Sequence, residues 1–293
     1  MAGTCPELPY YAPTETLPAP IPRVASILGF KNVISKHINT VIRYNQHYVV
    51  KYGTDTSLQE GLNMLFVQRT TDIPVPKVYA LFHDKATDMN FIVQEYIPGK
   101  NVGDIWNDLD DDEKTDITSQ LRRYLDQLRS LRQTGRPYFG GVWRRPTADW
   151  YLNGGPDAGD ATRPPVGPFE NEEDWVDAML RVAFGAHSGS TRSADDDEWM
   201  KYVFHAFFQG HKPVFTHGDL SGGNIRLRED GTVTLLDWQY SGWHPEFWEY
   251  CNGVQLSFRE GDWILWVSEY LEEYHAELGW MMHYRAWVLY DAI

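Results

Sequence analysis

The feature that most constrains this chain is the run PVFTHGDLSGGNIRLREDGTVTLLDWQYSG, residues 213–242. Its apolar positions come in short bursts, Val214-Phe215, Ile225 with Leu227, and Val233 with Leu235-Leu236, separated by Gly, Asn and Asp. Such bursts are too short for helices and read as strands, with Glu229-Asp230-Gly231 as the turn between two of them. Each polar group of chemical interest follows an apolar pair: His217-Gly218-Asp219 comes after Val214-Phe215, and Asp237 after Leu235-Leu236. Strands anchored in this way hold short loops rigidly, and a functional site needs that rigidity.

The rest of the chain changes character near Pro98-Gly99. Before it lie short β-type runs, VIRY (41–44) and YVVKY (48–52) around Asn45-Gln46-His47 as a hairpin, then Val78–Phe82 and Phe91–Tyr96. One helix is expected among them at 57–69, with Leu58, Leu62 and Leu65 on one face and Ser57 and Glu60 at capping-box spacing. After Pro98-Gly99 helical periods dominate. A short piece around Val102–Trp106 precedes a long helix over about 112–132, striped by Ile117, Leu121, Tyr124, Leu128 and Leu131. Its acidic start (Asp112, Glu113) and basic end (Arg129, Arg132) suit the helix dipole. Further helices are expected at about 171–184, 196–209 and through most of 244–290. Residues 134–170, rich in Gly and Pro, read as a long surface loop or insertion. The expected division is a Pro-rich extended arm over 1–22, a sheet-plus-helix lobe over 23–98 and a helical lobe over 99–293.

Charge follows the same division. Residues 1–98 hold 8 basic and 8 acidic side chains, so the net charge of −15 resides in residues 99–293. A chain this acidic repels a phosphate backbone or an anionic membrane, which argues against nucleic acid and membrane partners. Its two cysteines, Cys5 and Cys251, form neither a disulfide framework nor a C-x-x-C zinc site. With no signal-type or spanning apolar stretch, the reading is a cytoplasmic protein.

Within 213–242, His217-x-Asp219-x₄-Asn224 matches the catalytic-loop pattern H-R-D-x-x-x-x-N, with Gly218 in place of Arg. Asp237 then falls where a second metal-binding carboxylate is expected. The plainer alternative is that His217 and Asp219 satisfy a turn that Asn224 caps. Gly222-Gly223 leaves the loop flexible unless a positive φ is required there. No G-x-G-x-x-G, P-loop, H-E-x-x-H or G-x-S-x-G is present.

The segments YVVKYG (48–53), Glu60, IPVPKVY (73–79), FIVQEYIPG (91–99), THGDLSGGNI (216–225) and LLDWQYSGWHPEFWEY (235–250) together resemble the aminoglycoside phosphotransferase and choline kinase family, most closely its fungal branch. The resemblance implies an α+β, bilobal, protein-kinase-like fold, with a small antiparallel-sheet N-lobe, a larger mainly helical C-lobe, and ATP between them. It implies an ATP- and Mg²⁺-dependent O-phosphotransferase acting on a small-molecule hydroxyl. The same chemistry follows from the residue types. Asp219 would orient the acceptor hydroxyl and take its proton, and Asn224 and Asp237 offer the hard oxygens Mg²⁺ prefers. Lys51, paired with Glu60, would reach the phosphates. Glu95 and Ile97, in the hinge Gln94-Glu95-Tyr96-Ile97, resemble the segment whose backbone binds adenine. The loop expected over the phosphates lies around Ser35-Lys36-His37, and with no Gly-rich sequence there GTP stays open beside ATP. The alternative is a nucleotide-binding pseudoenzyme that transfers nothing.

For the acceptor, the acidic residues after position 245 (Glu246, Glu249, Glu260, Asp262, Glu269, Glu272, Glu273, Glu277 and Asp291, against Arg259 and Arg285) and seven Trp from Trp238 onward suit an amine-bearing molecule. The competing reading puts Trp263, Trp266 and Trp287 in the core and Glu272-Glu273 on a solvated face.

Overall fold

The computed structural model describes residues 3–36, 39–153, 165–185, 194–257 and 261–290. The chain divides into two compact units, Met1–Val102 with Asn224–Gln239, and Gly103–Gly223 with Tyr240–Ile293. The segment holding Asn224 and Asp237 therefore groups with the first unit, although in sequence it lies in the 99–293 lobe.

The first unit is built on a six-stranded sheet. Its strands are β1 (Tyr10–Tyr11), β2 (Val33–Lys36), β3 (Thr40–Arg43), β4 (Tyr48–Gly53), β5 (Val78–Asp84) and β6 (Met89–Glu95). The order is β1-β5-β6-β4-β3-β2, with every neighbouring pair antiparallel. The period of two sorts the side chains of β4. Tyr48, Val50 and Tyr52 enter a core with Ile42, Tyr79, Phe91 and Val93, and Val49 and Lys51 are left for the other face. Asn45 closes the β3–β4 turn by accepting from the amides of His47 and Tyr48 at 2.7 and 2.9 Å. The Pro-rich arm lies on this body: β1 pairs with β5, Leu17, Ala19 and Ile21 pack against the core, and the Tyr48 hydroxyl donates to the Ala19 carbonyl. Helix α1 (Val24–Leu28) buries Ile27 in the same core.

Helix α2 (Leu58–Thr70) begins at Ser57, whose side chain accepts from the Gln59 amide. Glu60 does not complete a capping box; it is 2% exposed and turned to Lys51. Pro98-Gly99 leads into β7 (Lys100–Asn101), which pairs with β9 (Ile225–Leu227), itself paired with β10 (Val233–Leu235). Gly99 has φ +126°, and a Cβ there would lie 2.2 Å from the Leu227 carbonyl oxygen, so only glycine fits this close approach.

The second unit is mainly helical: α3 (Val102–Ile105, which starts at the boundary), α4 (Asp111–Ser130), α5 (Trp150–Asn153), α6 (Glu172–Gly185), α7 (Ala194–Phe207), α8 (Trp248–Ser257), α9 (Trp263–Tyr270) and α10 (His275–Tyr290). Helix α4 opens with a complete capping box between Asp110 and Glu113 and buries Ile117, Leu121, Tyr124 and Leu128. A two-stranded ribbon, β8 (Pro213–Thr216) with β11 (Gly242–Pro245), carries the loop that contains Asp219. Among the described residues no helix is long and apolar enough to cross a membrane.

In the described parts of 134–170 the structure corrects the surface-loop reading and leaves that of an insertion standing. Tyr138, Phe139, Val142, Thr147, Asp149, Tyr151, Leu152 and Phe169 are buried. Bridges tie Phe139 to Phe169, Gly140 to Trp243 and Thr147 to Val166. The segment lacks a helical or strand period because it is held by these distant partners rather than by a ladder of its own; residues 154–164 lie outside the described residues.

Candidate functional site

In the first unit the face of β4 opposite the aromatic core meets α2 and the segment after β10 through Lys51. Lys51, 6% exposed, places Nζ 2.6 Å from Glu60, 3.4 Å from Asp237 Oδ1 and 3.2 Å from Gln239 Oε1. Burial pulls such an ammonium toward neutrality, but the charges of Glu60 and then Asp237 outweigh it and hold the Lys51 pKa above the ordinary lysine value. Asp237 has φ +55°, a left-handed conformation that Asp tolerates better than most residues. The Asn63 amide fixes the next residue by donating to the Trp238 carbonyl at 2.7 Å. Leu236 donates its amide to the Asn224 carbonyl at 2.8 Å, tying the two expected metal ligands into one local structure.

One cavity of this unit is lined by Lys51, Glu60, Glu95, Ile97, Asn224 and Asp237, so six of the seven sequence-derived site residues come together here. Gln94 and Tyr96 line it as well, with Ile34, Val41, Val49 and Leu236 as its apolar lining. The hinge is shaped by its own backbone: the amides of Glu95 and Tyr96 donate to the carbonyls of Lys77 and His47, both at 2.8 Å. The expected phosphate-covering segment forms the β2–β3 hairpin, which pairs Lys36 with Thr40; His37 lies outside the described residues. Among the described residues no group of three or more His, Cys, Asp or Glu could hold a metal. Asn224 and Asp237 therefore offer one carboxylate and one amide oxygen.

In the second unit Asp219 projects from the loop after β8. Buried His217 is held on both sides: the Ser241 hydroxyl donates to its carbonyl at 2.8 Å, and its amide donates to Glu249 at 2.5 Å. The Gly218 amide donates to the other Glu249 oxygen at 3.1 Å, and Nδ1 of His217 accepts from the Asp219 amide at 3.3 Å. Gly218 has φ +84°, and a Cβ would lie 2.5 Å from the Tyr240 carbonyl oxygen. Glycine is required at 218. Neither Gly222 nor Gly223 has a positive φ, so the pair needs no left-handed freedom, and residues 222–224 form a 3₁₀ turn.

The cavity beside Asp219 is lined by Asp149, Tyr151, Gly218, Asp219, Tyr240, Asn252, Leu256 and Arg285. Asp149, 3% exposed, accepts from the Tyr151 amide at 2.8 Å and from the Trp248 indole at 3.1 Å. Burial pushes its pKa up to about 7, and the charge of Asp219 adds to the rise against those hydrogen bonds. Among the described residues, none of the acidic residues after position 245 that were expected to read an amine lines this cavity. Glu249 lies under the catalytic-type loop, with burial raising its pKa to about 7. Asp262 pairs with Lys114 at 3.0 Å, Glu272 with Arg129 at 2.9 Å and Glu277 with His211 at 3.4 Å. Arg259, Glu260 and Asp291 lie outside the described residues, as does the Trp287 side chain. Trp263 is buried against Trp106, as the core reading expected, whereas Trp266 packs on Trp106 but stays part-exposed. Sequence reasoning missed Asp149, Tyr151 and Asn252. The one available signal was an acidic residue embedded in the aromatic run Asp149-Trp150-Tyr151.

Several solved structures share the fold. Aminoglycoside 2'-phosphotransferase-IIIa, solved with GDP, matches at a TM-score of 0.54 and 14% identity, covering 88% of this chain and 81% of its own. A thermostable mutant of aminoglycoside phosphotransferase APH(4)-Ia, solved with ADP and hygromycin B, matches at 0.56 and 13%, covering 88% and 82%. Choline kinase LicA from Streptococcus pneumoniae matches at 0.50 and 14%, covering 86% and 79%. At such identities the likeness shows the fold alone: α+β and kinase-like, with an antiparallel-sheet N-terminal region and a helical C-terminal region. No curated protein sequence matches the chain. The family model APH, described as the phosphotransferase enzyme family, matches residues 41–285. With most of its length in that match, the chain belongs to the phosphotransferase enzyme family.

Proposed function

We propose that this protein is an ATP- and Mg²⁺-dependent O-phosphotransferase that moves the γ-phosphoryl group to a hydroxyl of a small, amine-bearing molecule. The observation that carries this reading is buried Lys51, fixed between Glu60 and Asp237 in a cavity that also contains the hinge. An ammonium anchored on two carboxylates is a preset cation for phosphate oxygens, and family membership supplies the reaction class. The purine would sit among Val41, Val49, Glu95 and Ile97 and be read through the hinge backbone. Neighbours of the fold bind GDP or ADP, so the choice of purine is left to experiment.

Asp219 is the proposed catalytic residue. Its carboxylate orients the acceptor hydroxyl and takes its proton as the new O–P bond forms and the bond from γ-phosphorus to the bridging oxygen breaks. Asn224 and Asp237 fit a Mg²⁺ ion, which takes one or two protein oxygens and completes its octahedron with water and phosphate oxygens. Bound there, the ion would neutralise phosphate charge. Asp149, and not the acidic residues after position 245, supplies the anionic group for an amine. The lobes proposed are 23–98, with the arm 1–22, and 99–293. A cytoplasmic location and a place in the family's fungal branch rest on the sequence.

The test is ADP release with Mg²⁺ and a panel of hydroxyl-bearing amines, run beside Asp219→Asn. The expected result is turnover with at least one acceptor and a loss of at least about 10³-fold in the variant at unchanged melting temperature. Nucleotide binding with no turnover for any acceptor favours the pseudoenzyme.

A further inference from the structure

The cavity beside Asp219 carries more chemical information than the family does. Its volume is about 190 Å³, below the ~300–1,000 Å³ of sites for drug-sized ligands. One of its walls is a cation. Arg285, on α10, has one hydrogen-bond partner among the described residues, the neutral Gln255 Oε1 at 3.2 Å, and no carboxylate there within ion-pair distance. A guanidinium beside an acceptor cavity repels a polycation and recruits a carboxylate, which its planar fork matches.

The buried polar atoms near the cavity divide in the same way. Asn252 is 4% exposed, and its Oδ1, an acceptor, has no hydrogen-bond partner among the described residues. It calls for an N–H donor, and the Asp149 carboxylate, already accepting from the Tyr151 amide and the Trp248 indole, adds negative charge to the same cavity. Gln255 is 5% exposed, and its Nε2, a donor, likewise has none among the described residues. It sits beside Arg285 and calls for an acceptor. Buried polar groups left unpaired cost free energy, so a ligand that satisfies both kinds is favoured over one that satisfies either. Tyr151 joins the two ends: its amide donates to Asp149, and its hydroxyl donates to Gln255 Oε1 at 2.6 Å. The acceptor-rich and donor-rich ends are thus about one tyrosine side chain apart.

We propose that the acceptor is a small zwitterionic alcohol, with its carboxylate on Arg285, its ammonium on Asp149 and Asn252, and its hydroxyl at Asp219. The proposal rests on the phosphotransfer reading for the last of these contacts only. Arg285 and Asn252 act as specificity residues that distinguish this acceptor from a polyamine or a plain amino alcohol.

The test separates binding from transfer. Isothermal titration of the full chain without nucleotide compares L-serine with ethanolamine, which lacks the carboxylate, and with 3-hydroxypropionate, which lacks the amine; homologues longer by one and two methylenes are run in the same way. The expected result is that, in at least one homologous set, the zwitterion binds at least tenfold more tightly than both partners. Arg285→Met then removes that advantage over the amino alcohol, and Arg285→Lys retains part of it. Amino alcohols binding as tightly as the zwitterions, no binding by any zwitterion, or an advantage unchanged in Arg285→Met in a folded protein would each overturn the proposal. ADP release is read separately. Turnover with ethanolamine-type acceptors alone sinks this inference and leaves the phosphotransferase, whereas tight zwitterion binding without ADP release keeps the inference and sinks transfer.

Discussion

Replacing Lys51 alone should cost the fold more than replacing Lys51 and Glu60 together. At 2.6 Å and an effective dielectric of about 20, the attraction between the two charges is about 6 kcal/mol. Removing both ions from water offsets most of this, at several kcal/mol per ion, so the pair contributes little net stability. Breaking it is a different matter. Lys51→Met leaves the Glu60 carboxyl 2% exposed with its nearest cation gone, which costs about 3–5 kcal/mol. Glu60→Leu leaves Lys51 with Asp237 at 3.4 Å, a longer and more solvated contact, and should cost somewhat less. The double variant Lys51→Met/Glu60→Leu removes both charges and fills the space with apolar atoms, and is expected within about 1–2 kcal/mol of the parent. The coupling energy from a double-mutant cycle, measured by urea unfolding, should therefore be at least about 2 kcal/mol. All three variants should lose ADP release, so stability and activity separate cleanly. Additive costs, within about 0.5 kcal/mol, would falsify the claim that the two side chains act as one buried unit.

Two further perturbations address other parts of the chain. Gly218→Ala forces a side chain into φ +84° with its Cβ 2.5 Å from a carbonyl oxygen; a stability loss of about 2 kcal/mol and a larger fall in kcat than in substrate affinity are expected from urea unfolding and steady-state kinetics. His211 lies 2.6 Å from Glu172 and 3.4 Å from Glu277. Burial alone would lower its pKa, but the hydrogen bond and charge of Glu172, then those of Glu277, raise it above the ordinary histidine value. Its contribution to stability is full below the unfolded pKa of about 6.5 and is lost as pH rises through the raised folded value. His211→Gln should therefore shrink the fall in melting temperature between about pH 6 and about pH 9, and an unchanged fall would remove His211 from the account.

Local periodicity made much of the fold legible. The β3–β4 hairpin could be read because β-branched runs flank an Asn that closes the turn with its own side chain. Helix α4 could be read because its apolar stripe is framed by acidic and basic ends. What could not be read depends on partners far away in sequence. The edge strand β1 exists because Tyr10 and Tyr11 meet Leu81 and Ala80, and nothing in a Pro-rich arm announces that pairing. The described parts of 134–170 are held by a bridge from Gly140 to Trp243 and by bridges between their own two ends. Glu60 carried two readings, a cap or a partner for Lys51, that local spacing could not separate. The sheet decides between them, because the alternation along β4 turns Lys51 away from the aromatic core and toward α2.

The candidate site was legible where its groups follow apolar strands and illegible where charge was counted along the chain. The net charge of −15 pointed to the acidic residues after position 245 as readers of the acceptor, yet of these Asp262, Glu272 and Glu277 engage Lys114, Arg129 and His211. Glu249 takes the amides of His217 and Gly218. A charge already engaged, or facing water across a Debye length of about 8 Å, contributes little to a ligand in a small cavity. In the proposed acceptor site the buried Asp149 and Asn252 line the cavity together with Arg285, and groups in such partly enclosed surroundings are screened less than charges on the surface. This has a measurable consequence. If the distributed charge recruits the acceptor, raising salt from about 0.05 to about 0.5 M should weaken binding by an order of magnitude or more. If contacts inside the cavity do so, the change should stay below about threefold, and a steeper dependence would return the acidic residues after position 245 to the recognition site.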